Sequence, residues 1–342
     1  MTGTLVISLD AELAWGFHDV DPPAERIAEA RLTWERLVAL FDRYDVPATW
    51  AVVGHLFLDD CDGGHADHPA GERPCTRDLD DGDSVDDGDA VDDDGSTFPG
   101  DASLPGHASL SADRAWYAAD LVETVRRADA DHEIGAHGFT HVHFDHERMS
   151  ESFARRELQR CREAAAAAGV GPDSFDSFVF PVNRVGYRDH LAEFGFGCYR
   201  GREPTADRSA HARRAGKVIG AVLDRGAPPV VRPEIDEHGL VNVPASMYLF
   251  DGLGALTDVA ERVRDDPVAR RAERGVDAAA DGDGVCHLWF HPHDVTEPKD
   301  FDRLRRVLER ARERRADGDL TVATMGQVAD RVRSARPQGG AV

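Results

Sequence analysis

The chain has 342 residues, which is enough for one large α/β barrel domain or two ordinary domains, and 41% of its residues are hydrophobic, so a sizeable core can form. Its formal net charge of -24, from 64 acidic and 40 basic residues, argues against binding to nucleic acid or to an anionic membrane surface. We interpret the charge as the hydrated acidic surface of a halophilic protein, which high salt screens; the alternative is a specific cationic partner.

The sequence also lacks the signals of a membrane or disulfide-rich protein. No stretch approaches the roughly 20 apolar residues that a membrane-spanning helix needs. The opening segment MTGTLVISLD has no basic region followed by an apolar one, so there is no sign of a secretory signal and a cytoplasmic location is expected. The five cysteines are widely spaced and contain no CxxC pair, which favours free or buried thiols over a disulfide framework or a zinc ribbon.

Predicted strands and helices alternate along the chain. This alternation predicts a parallel sheet with right-handed crossovers, closed or partly closed into a β/α barrel of about seven parallel strands. The barrel is predicted to be a single domain over residues 1–336, followed by a loose tail at 337–342. The predicted strands are residues 4–9, 48–54, 132–136, 177–181, 196–199, 239–243, 285–290 and 320–323. The predicted helices are residues 24–44, 114–129, 148–168, 186–194, 208–224, 256–273 and 299–316.

An acidic insertion at residues 59–112 interrupts the alternation. It contains DLDDGDSVDDGDAVDDDGS and almost no apolar periodicity. A calcium-binding loop would need a glutamate six positions after its glycine, and that spacing is absent. The composition therefore predicts a disordered or salt-solvated insertion.

Replacing residues 78–97 with a short Gly/Ser linker is expected to leave thermal unfolding in high salt nearly unchanged. A dense run of like charge without apolar periodicity contributes little to a core. The measurement is the unfolding temperature of both proteins at the same salt concentration. A drop of many degrees would show that the segment packs against the domain.

Polar residues follow several of the predicted strands. In parallel β/α architectures the carboxyl ends of the strands meet at one rim, where active sites are built. Each residue alone is common in turns, in caps or on the surface, and an HxxxH pair alone can be structural. Their joint position at strand ends predicts a site that contains Asp10 and Glu12, His137 and His141, Asn183 and Arg184, and His291 and His293.

The histidines and carboxylates of this rim are typical metal ligands. Imidazole suits zinc and other late first-row divalent ions, and a carboxylate completes a set of two histidines and one carboxylate. His137 and His141 are four residues apart and would share a face if the chain turned helically between them. Open positions on such a metal would hold water or substrate.

Five segments resemble the ordered motifs of a known family. The segments SLDAELAWG, PATWAVVG, HEIGAHGFTH, FVFPVN and LWFHPHD are similar, in this order, to motifs of the polysaccharide deacetylases, carbohydrate esterases with the NodB-homology domain. The resemblance covers roughly residues 4–323, apart from the acidic insertion. It implies a deformed (β/α) barrel and the metal-dependent hydrolysis of an N-acetyl or O-acetyl group on a glycan.

The resemblance also implies roles for individual residues. Asp10 corresponds to the catalytic base and His291 to the general acid. His137 and His141 correspond to the metal-binding histidines. Many members have a second aspartate directly after the base; here the second carboxylate is Glu12, one place later, and it is the expected third ligand. The expected cofactor is a divalent metal, with zinc favoured and cobalt or manganese as alternatives.

The arginine that usually orients the base in this family would fall near Val179 and is absent there. Arg184 or Arg200 is the expected substitute. This departure leaves open whether the substrate is a conventional acetylated sugar. The expected substrate-binding residues are Trp15, Asn183, Arg184, Arg200 and His293.

Three functions are compatible with these residues. The first is a metal-dependent hydrolase that removes an acetyl group, held as an amide or an ester, from a polysaccharide or sugar conjugate. The second is the hydrolysis of a small cyclic amide or imide, which the missing arginine favours. The third is a glycan-binding domain without catalysis. The presence of a base, an acid and a full set of ligands argues against the third, because binding needs no proton transfer.

Overall fold

The computed structural model describes residues 2–17, 24–59, 113–147, 149–204, 226–250 and 266–335. The predicted helix at 208–224, the tail at 337–342 and all but the first residue of the predicted insertion at 59–112 lie outside these ranges. The single domain and the small effect of shortening the insertion therefore stay predictions.

The described strands form one curled, mostly parallel sheet of ten strands, which confirms the predicted α/β fold with its deformed barrel. They are β1 (Gly3–Ala11), β2 (Thr49–Val52), β3 (Glu133–Ala136), β4 (Ser177–Val179), β5 (Cys198–Arg200), β6 (Glu234–Ile235), β7 (Val241–Asn242), β8 (Met247–Tyr248), β9 (Val285–Phe290) and β10 (Leu320–Val322). Their order is β6-β7-β5-β4-β3-β2-β1-β9-β8, and β10 pairs with the start of β1. The sheet has two strands beyond the eight predicted segments, because β6 and β8, of two residues each, are too short to show alternation.

The central strand, β1, is buried over its whole length. It pairs with β9 along one edge, and with β10 and then β2 along the other. Side chains of a strand alternate between its two faces. Leu5, Ile7 and Leu9 pack in the main hydrophobic core, whereas Val6 belongs to a second cluster that includes Val179 of β4 and Cys198 of β5. Asp10 shares the face of Val6, so its carboxylate enters the interior of the curled sheet.

Helices pack against the sheet and mostly lie where the sequence predicts them. They are α1 (Ala24–Tyr44), α2 (Asp113–Trp116), α3 (Ala119–Arg126), α4 (Glu151–Ala167), α5 (Arg188–Glu193), α6 (Pro267–Ala280), α7 (Pro298–Ala316) and α8 (Met325–Ala335). The helix predicted at 114–129 is divided into α2 and α3. Residues 256–265 of the helix predicted at 256–273 lie outside the described ranges. The described helix α6 continues to Ala280, and Asp266 caps its start by accepting from the N–H groups of Val268 and Ala269.

The last helix, α8, has no counterpart among the predicted helices. Its first N–H groups are bound by side chains that are distant in sequence. Met325 donates to Thr49 Oγ1 at 2.9 Å, and Gly326 donates to Glu133 Oε2 at 3.0 Å. The start of α8 is also capped locally, because Thr324 Oγ1 accepts from the Gln327 N–H at 3.3 Å and Gln327 Oε1 accepts from the Thr324 N–H at 3.1 Å. This Thr-x-x-Gln capping box is a signal in the sequence from which the helix could have been predicted.

No helix within the described ranges is long and apolar enough to cross a membrane. The three cysteines in those ranges, Cys161, Cys198 and Cys286, are buried free thiols, as the sequence predicts for them.

Candidate active site

A buried ion pair joins the end of β1 to the end of β5. The guanidinium of Arg200 donates to both carboxylate oxygens of Asp10, each at 2.6 Å. Arg200 is 1% exposed and Asp10 is 3% exposed. Burial alone would raise the pKa of Asp10, but the charge of Arg200 and the hydrogen bonds from its guanidinium outweigh it and lower this pKa below its usual value. Asp10 is therefore an ionised carboxylate held in one orientation.

Further hydrogen bonds fix the guanidinium of Arg200. It donates to Asn183 Oδ1 at 2.9 Å and to Ser8 Oγ at 3.1 Å. Ser8 Oγ lies 2.9 Å from His287 Nε2. Burial and the charge of Arg200 lower the pKa of His287 to about 3, so its ring is neutral and can accept a hydrogen bond from the Ser8 hydroxyl. The orientation of Asp10 thus depends on residues of β1, β5 and β9 together.

Glu12, His137 and His141 bring three ligand atoms into contact. Glu12 Oε1 lies 3.0 Å from His137 Nε2 and 3.1 Å from His141 Nε2, and the two nitrogens are 3.0 Å apart. His137 Nδ1 lies 2.8 Å from the Val179 carbonyl, and in the tautomer that donates to this carbonyl through Nδ1 the lone pair is on Nε2. The charges of His141 and His291 outweigh burial and hold the pKa of Glu12 well below its usual value. An ionised oxygen and a bare nitrogen therefore face each other, and a divalent cation fits this donor set.

The chain forms an irregular turn between the two histidines, and not the helical turn that would place them on one face. Gly138 and His141 both have left-handed backbone, with φ of 73° and 60°. Glu157 of α4 holds the turn by accepting from the N–H groups of Phe139 and Thr140, each at 2.9 Å, and from the Thr140 hydroxyl at 2.8 Å. The position of both histidines thus depends on one buried carboxylate from a neighbouring helix.

The variant Glu157→Gln is expected to weaken binding of a divalent metal by about 10- to 100-fold, as loss of supporting hydrogen bonds around ligands usually does. It should also lower the free energy of unfolding by about 1–3 kcal/mol, because an amide cannot accept all three hydrogen bonds. Metal titration and chemical unfolding measure the two effects. Glu163→Gln is the control, because Glu163 is exposed on the same helix and bonds Gln159. Equal metal affinity in the two variants would contradict the role of Glu157.

The third part of the site follows β9. Asp294 Oδ2 lies 3.0 Å from His291 Nδ1 and accepts from the His291 backbone N–H at 2.7 Å and from the Tyr248 hydroxyl at 2.8 Å. His291 Nε2 lies 3.6 Å from Glu12 Oε1. Burial disfavours a charged ring, but the carboxylates of Asp294 and Glu12 outweigh it and raise the pKa of His291 to about 10. His291 is therefore protonated at neutral pH and can donate a proton from Nε2.

A second group of potential ligands shares Glu12 and includes His291 and His293, with donor atoms within 4.8 Å of one another. The two imidazole rings are stacked, with centroids 4.7 Å apart and 13° between their planes. Burial lowers the pKa of His293 to about 4, so this ring is neutral. The nitrogen lone pairs of two parallel rings lie in parallel planes and do not point at one common position. The group of Glu12, His137 and His141 is therefore better suited to binding a single metal ion.

The residues predicted to bind substrate divide into two sets. Asn183 and Arg200 contact each other beside Asp10, and His293 stacks on His291. The other two have different surroundings. Trp15 is part of the hydrophobic core, where its indole N–H donates to the Trp116 carbonyl at 3.1 Å. Arg184 forms an ion pair with Asp145 at 3.1 Å, so it is Arg200 that pairs with the expected base.

Several residues of the site are missed by reasoning from strand ends. The set is Ser8, Glu157, Tyr248, His287, Trp289 and Asp294. Four of them could have been found, because Ser8 lies two residues before Asp10, Asp294 ends the segment LWFHPHD, and His287 and Trp289 alternate with His291 on the inward face of β9. Glu157 and Tyr248 have no such signal, since their contacts depend on tertiary packing.

Comparisons with known proteins agree with this fold. The family model for polysaccharide deacetylase matches residues 19–189, half of the chain. No curated protein matches the chain.

Three solved structures share the fold. A protein from Mycobacterium smegmatis assigned as a polysaccharide deacetylase has a TM-score of 0.56 at 19% identity, covering 97% of this chain and 91% of that chain. One from Pseudomonas aeruginosa PAO1 with the same assignment has a TM-score of 0.54 at 12% identity, covering 98% of this chain and 92% of that chain. The Puue allantoinase has a TM-score of 0.53 at 13% identity, covering 98% of this chain and 91% of that chain. At such identities the likeness establishes the fold and leaves the reaction to be argued from the site.

Proposed function

The chain belongs to the polysaccharide deacetylase family, hydrolases of carbon–nitrogen bonds, and on that basis we propose that it removes an acetyl group from an amide of a polysaccharide or sugar conjugate with the help of a divalent metal. The proposal is supported by three features that lie next to one another in the described part of the chain: a carboxylate base, a protonated histidine and a set of potential metal ligands. The ionised Asp10 lies 3.8 Å from His137, and the protonated His291 lies 3.6 Å from Glu12. A base, an acid and a set of metal ligands are what amide hydrolysis requires.

Glu12, His137 and His141 would hold the metal. Two imidazoles and one carboxylate favour zinc, with cobalt or manganese as alternatives. When bound, a divalent cation supplies a more acidic water molecule and a polarised acetyl carbonyl. The hydrogen bond from His137 Nδ1 to the Val179 carbonyl keeps the ligand nitrogen bare and the ring in a fixed orientation.

Asp10 acts as the general base and accepts a proton from the attacking water. The two hydrogen bonds from Arg200 keep the carboxylate ionised and prevent it from rotating. Arg200 thereby takes the place of the arginine that is missing at Val179, from the neighbouring strand.

A backbone N–H at Val182 is the proposed donor to the acetyl oxygen as negative charge develops there. In this turn Pro181 has no N–H, and the N–H of Asn183 donates to the Phe180 carbonyl at 3.0 Å. Val182 has a φ of 47°, a conformation that costs a β-branched residue about 1–2 kcal/mol. Strain of this kind is often found where a backbone group is aimed at a substrate.

His291 acts as the general acid and donates its Nε2 proton to the leaving amine. An amine is a poor leaving group unless it is protonated, so this step needs a dedicated acid. Asp294 holds Nδ1 and stabilises the charged ring.

The test combines metal analysis with product release in high salt, the condition that the acidic composition favours. The purified protein is expected to contain a divalent metal and to release acetate from acetylated amino-sugar oligomers. Chelation should remove both properties, and added zinc should restore them. A protein that holds its metal and releases no acetate from any acetylated glycan would contradict the proposal.

A second candidate function, the hydrolysis of a small cyclic amide or imide, is favoured by the burial of the site. Asp10 is 3% exposed and Glu12 is 4% exposed, and His137 and His141 are also buried. A small ring reaches such groups more readily than a polymer does. The same base and acid would open the ring without releasing acetate, so analysis of the products separates the two functions. Binding without hydrolysis of either class would favour the glycan-binding domain.

A further inference from the structure

Tyr248 contacts the acid side of the site but has no part in the steps above. Its hydroxyl donates to Asp294 Oδ2 at 2.8 Å and lies 3.3 Å from His291 Nδ1. The same carboxylate oxygen accepts from the His291 backbone N–H. Tyr248 thus contributes one of the donors that determine where this carboxylate lies.

Tyr248 itself is held by the neighbouring strand. It pairs in register with Trp289, and the centroids of the two rings are 4.5 Å apart. Glu203 Oε1 accepts from the Tyr248 backbone N–H at 3.1 Å and from Trp289 Nε1 at 3.3 Å. The guanidinium of Arg200 lies 4.3 Å from the centroid of the Trp289 ring. A continuous line of contacts therefore runs from the acid pair to the arginine of the base pair.

We propose that Tyr248 is a positioning residue for the proton donor: its hydroxyl fixes Asp294 and hence the His291 ring, and its ring, through Trp289, ties this pair to Arg200. The inference rests on the proposed function insofar as His291 donates a proton to the leaving group. The hydroxyl can impose an orientation because β8–β9 pairing fixes the tyrosine before any substrate binds.

The first test is the leaving-group dependence of Tyr248→Phe. If the lost hydrogen bond to a charged group weakens only proton donation, its free energy corresponds to a decrease in rate of about 10- to 100-fold. Hydrolysis of an acetyl amide should fall by this factor, whereas an activated aryl acetate, whose leaving group needs no proton, should be hydrolysed as fast as by wild type. Tyr44→Phe is the matched control, because it removes a hydroxyl that also donates to a carboxylate, that of Glu309 at 3.1 Å between α1 and α7.

A merely structural role would lower both rates equally. If the amide-to-ester ratio of Tyr248→Phe equals that of wild type, the proposal is overturned.

The second test does not depend on activity. In protein labelled with ¹⁵N-histidine, the Nδ1–H proton of His291 can be assigned by its loss in His291→Ala. It should be protected from exchange in wild type and in Tyr44→Phe, and broadened or lost in Tyr248→Phe. If wild type hydrolyses neither substrate, the proposed function fails while this comparison still decides the role of Tyr248. A His291 signal that is unchanged in Tyr248→Phe would then overturn the proposal, and a lost signal would support it.

Discussion

The variant His137→Ala is expected to lose its bound divalent metal and its amide hydrolysis together. His137 supplies one of three donor atoms, and its Nε2 lies 3.0 Å from both Glu12 Oε1 and His141 Nε2. Loss of a residue that only hydrogen-bonds a ligand typically costs about 10- to 100-fold in metal affinity, so loss of a ligand itself should exceed about 100-fold. Elemental analysis after gel filtration and acetate release from the same sample measure the two losses.

His190→Ala is the control for this variant. His190 is also a buried histidine, but it lies on α5, where its Nε2 is 3.5 Å from Glu151. This protein should keep both its metal and its rate, and thermal unfolding of both variants checks that they are folded. Full retention of metal in His137→Ala would show that the ligand set is wrong.

The variant Asp10→Asn is expected to keep the metal and lose about 10²–10⁴ in the rate of amide hydrolysis, the usual size of a general acid–base contribution. Asparagine preserves the shape of the side chain but cannot take the proton of the attacking water. The change also leaves the guanidinium of Arg200 without its anion, and breaking a buried ion pair costs about 3–5 kcal/mol of stability. The rate should therefore be measured in high salt at a temperature where unfolding curves show the variant to be folded.

His291→Ala is the companion variant on the leaving-group side. It should keep the metal and lose amide hydrolysis to a similar extent, but retain more of its activity on activated esters. Asp10→Asn should affect both substrates, because both need an activated water. If Asp10→Asn hydrolyses the amide as fast as wild type, the base is another residue. If His291→Ala loses its metal, His291 is a ligand and the acid has to be sought elsewhere.

The parallel sheet could be predicted because its longest strands carry clear patterns. β9 spans the predicted residues 285–290, and β1 is a continuous buried run around the predicted 4–9. The helix α8 is absent from the predicted helices although Thr324 and Gln327 form a local capping box at its start. Only its further N-terminal contacts, with Thr49 and Glu133, come from other strands. Local patterns identify long elements with a clear apolar period, whereas β6 and β8, of two residues each, are too short to show one.

The same distinction applies to the site. Residues at strand ends could be expected to meet, because parallel strands place their carboxyl ends at one rim. The sequence could not decide between Arg184 and Arg200 as the partner of Asp10, because the choice depends on the side-chain direction at the end of β5. The carboxylate that shapes the metal-binding turn, Glu157, lies within a helix and looks like any other helical glutamate.

Hydrogen bonding along both edges of β1 limits which parts of the site can change by substitution. A strand that is hydrogen-bonded on both sides exposes its amide groups to solvent only when the whole domain unfolds. The amide protons of β1 are therefore expected to exchange among the slowest in the protein. Asp10 lies near the end of this strand and Glu12 directly follows it, whereas His141 and Asn183 lie in turns with left-handed backbone. The distance between the base and the first ligand is therefore set once, when the chain folds. Other residues of these turns can accumulate substitutions that change which substrate is admitted, while the chemistry performed on it is retained.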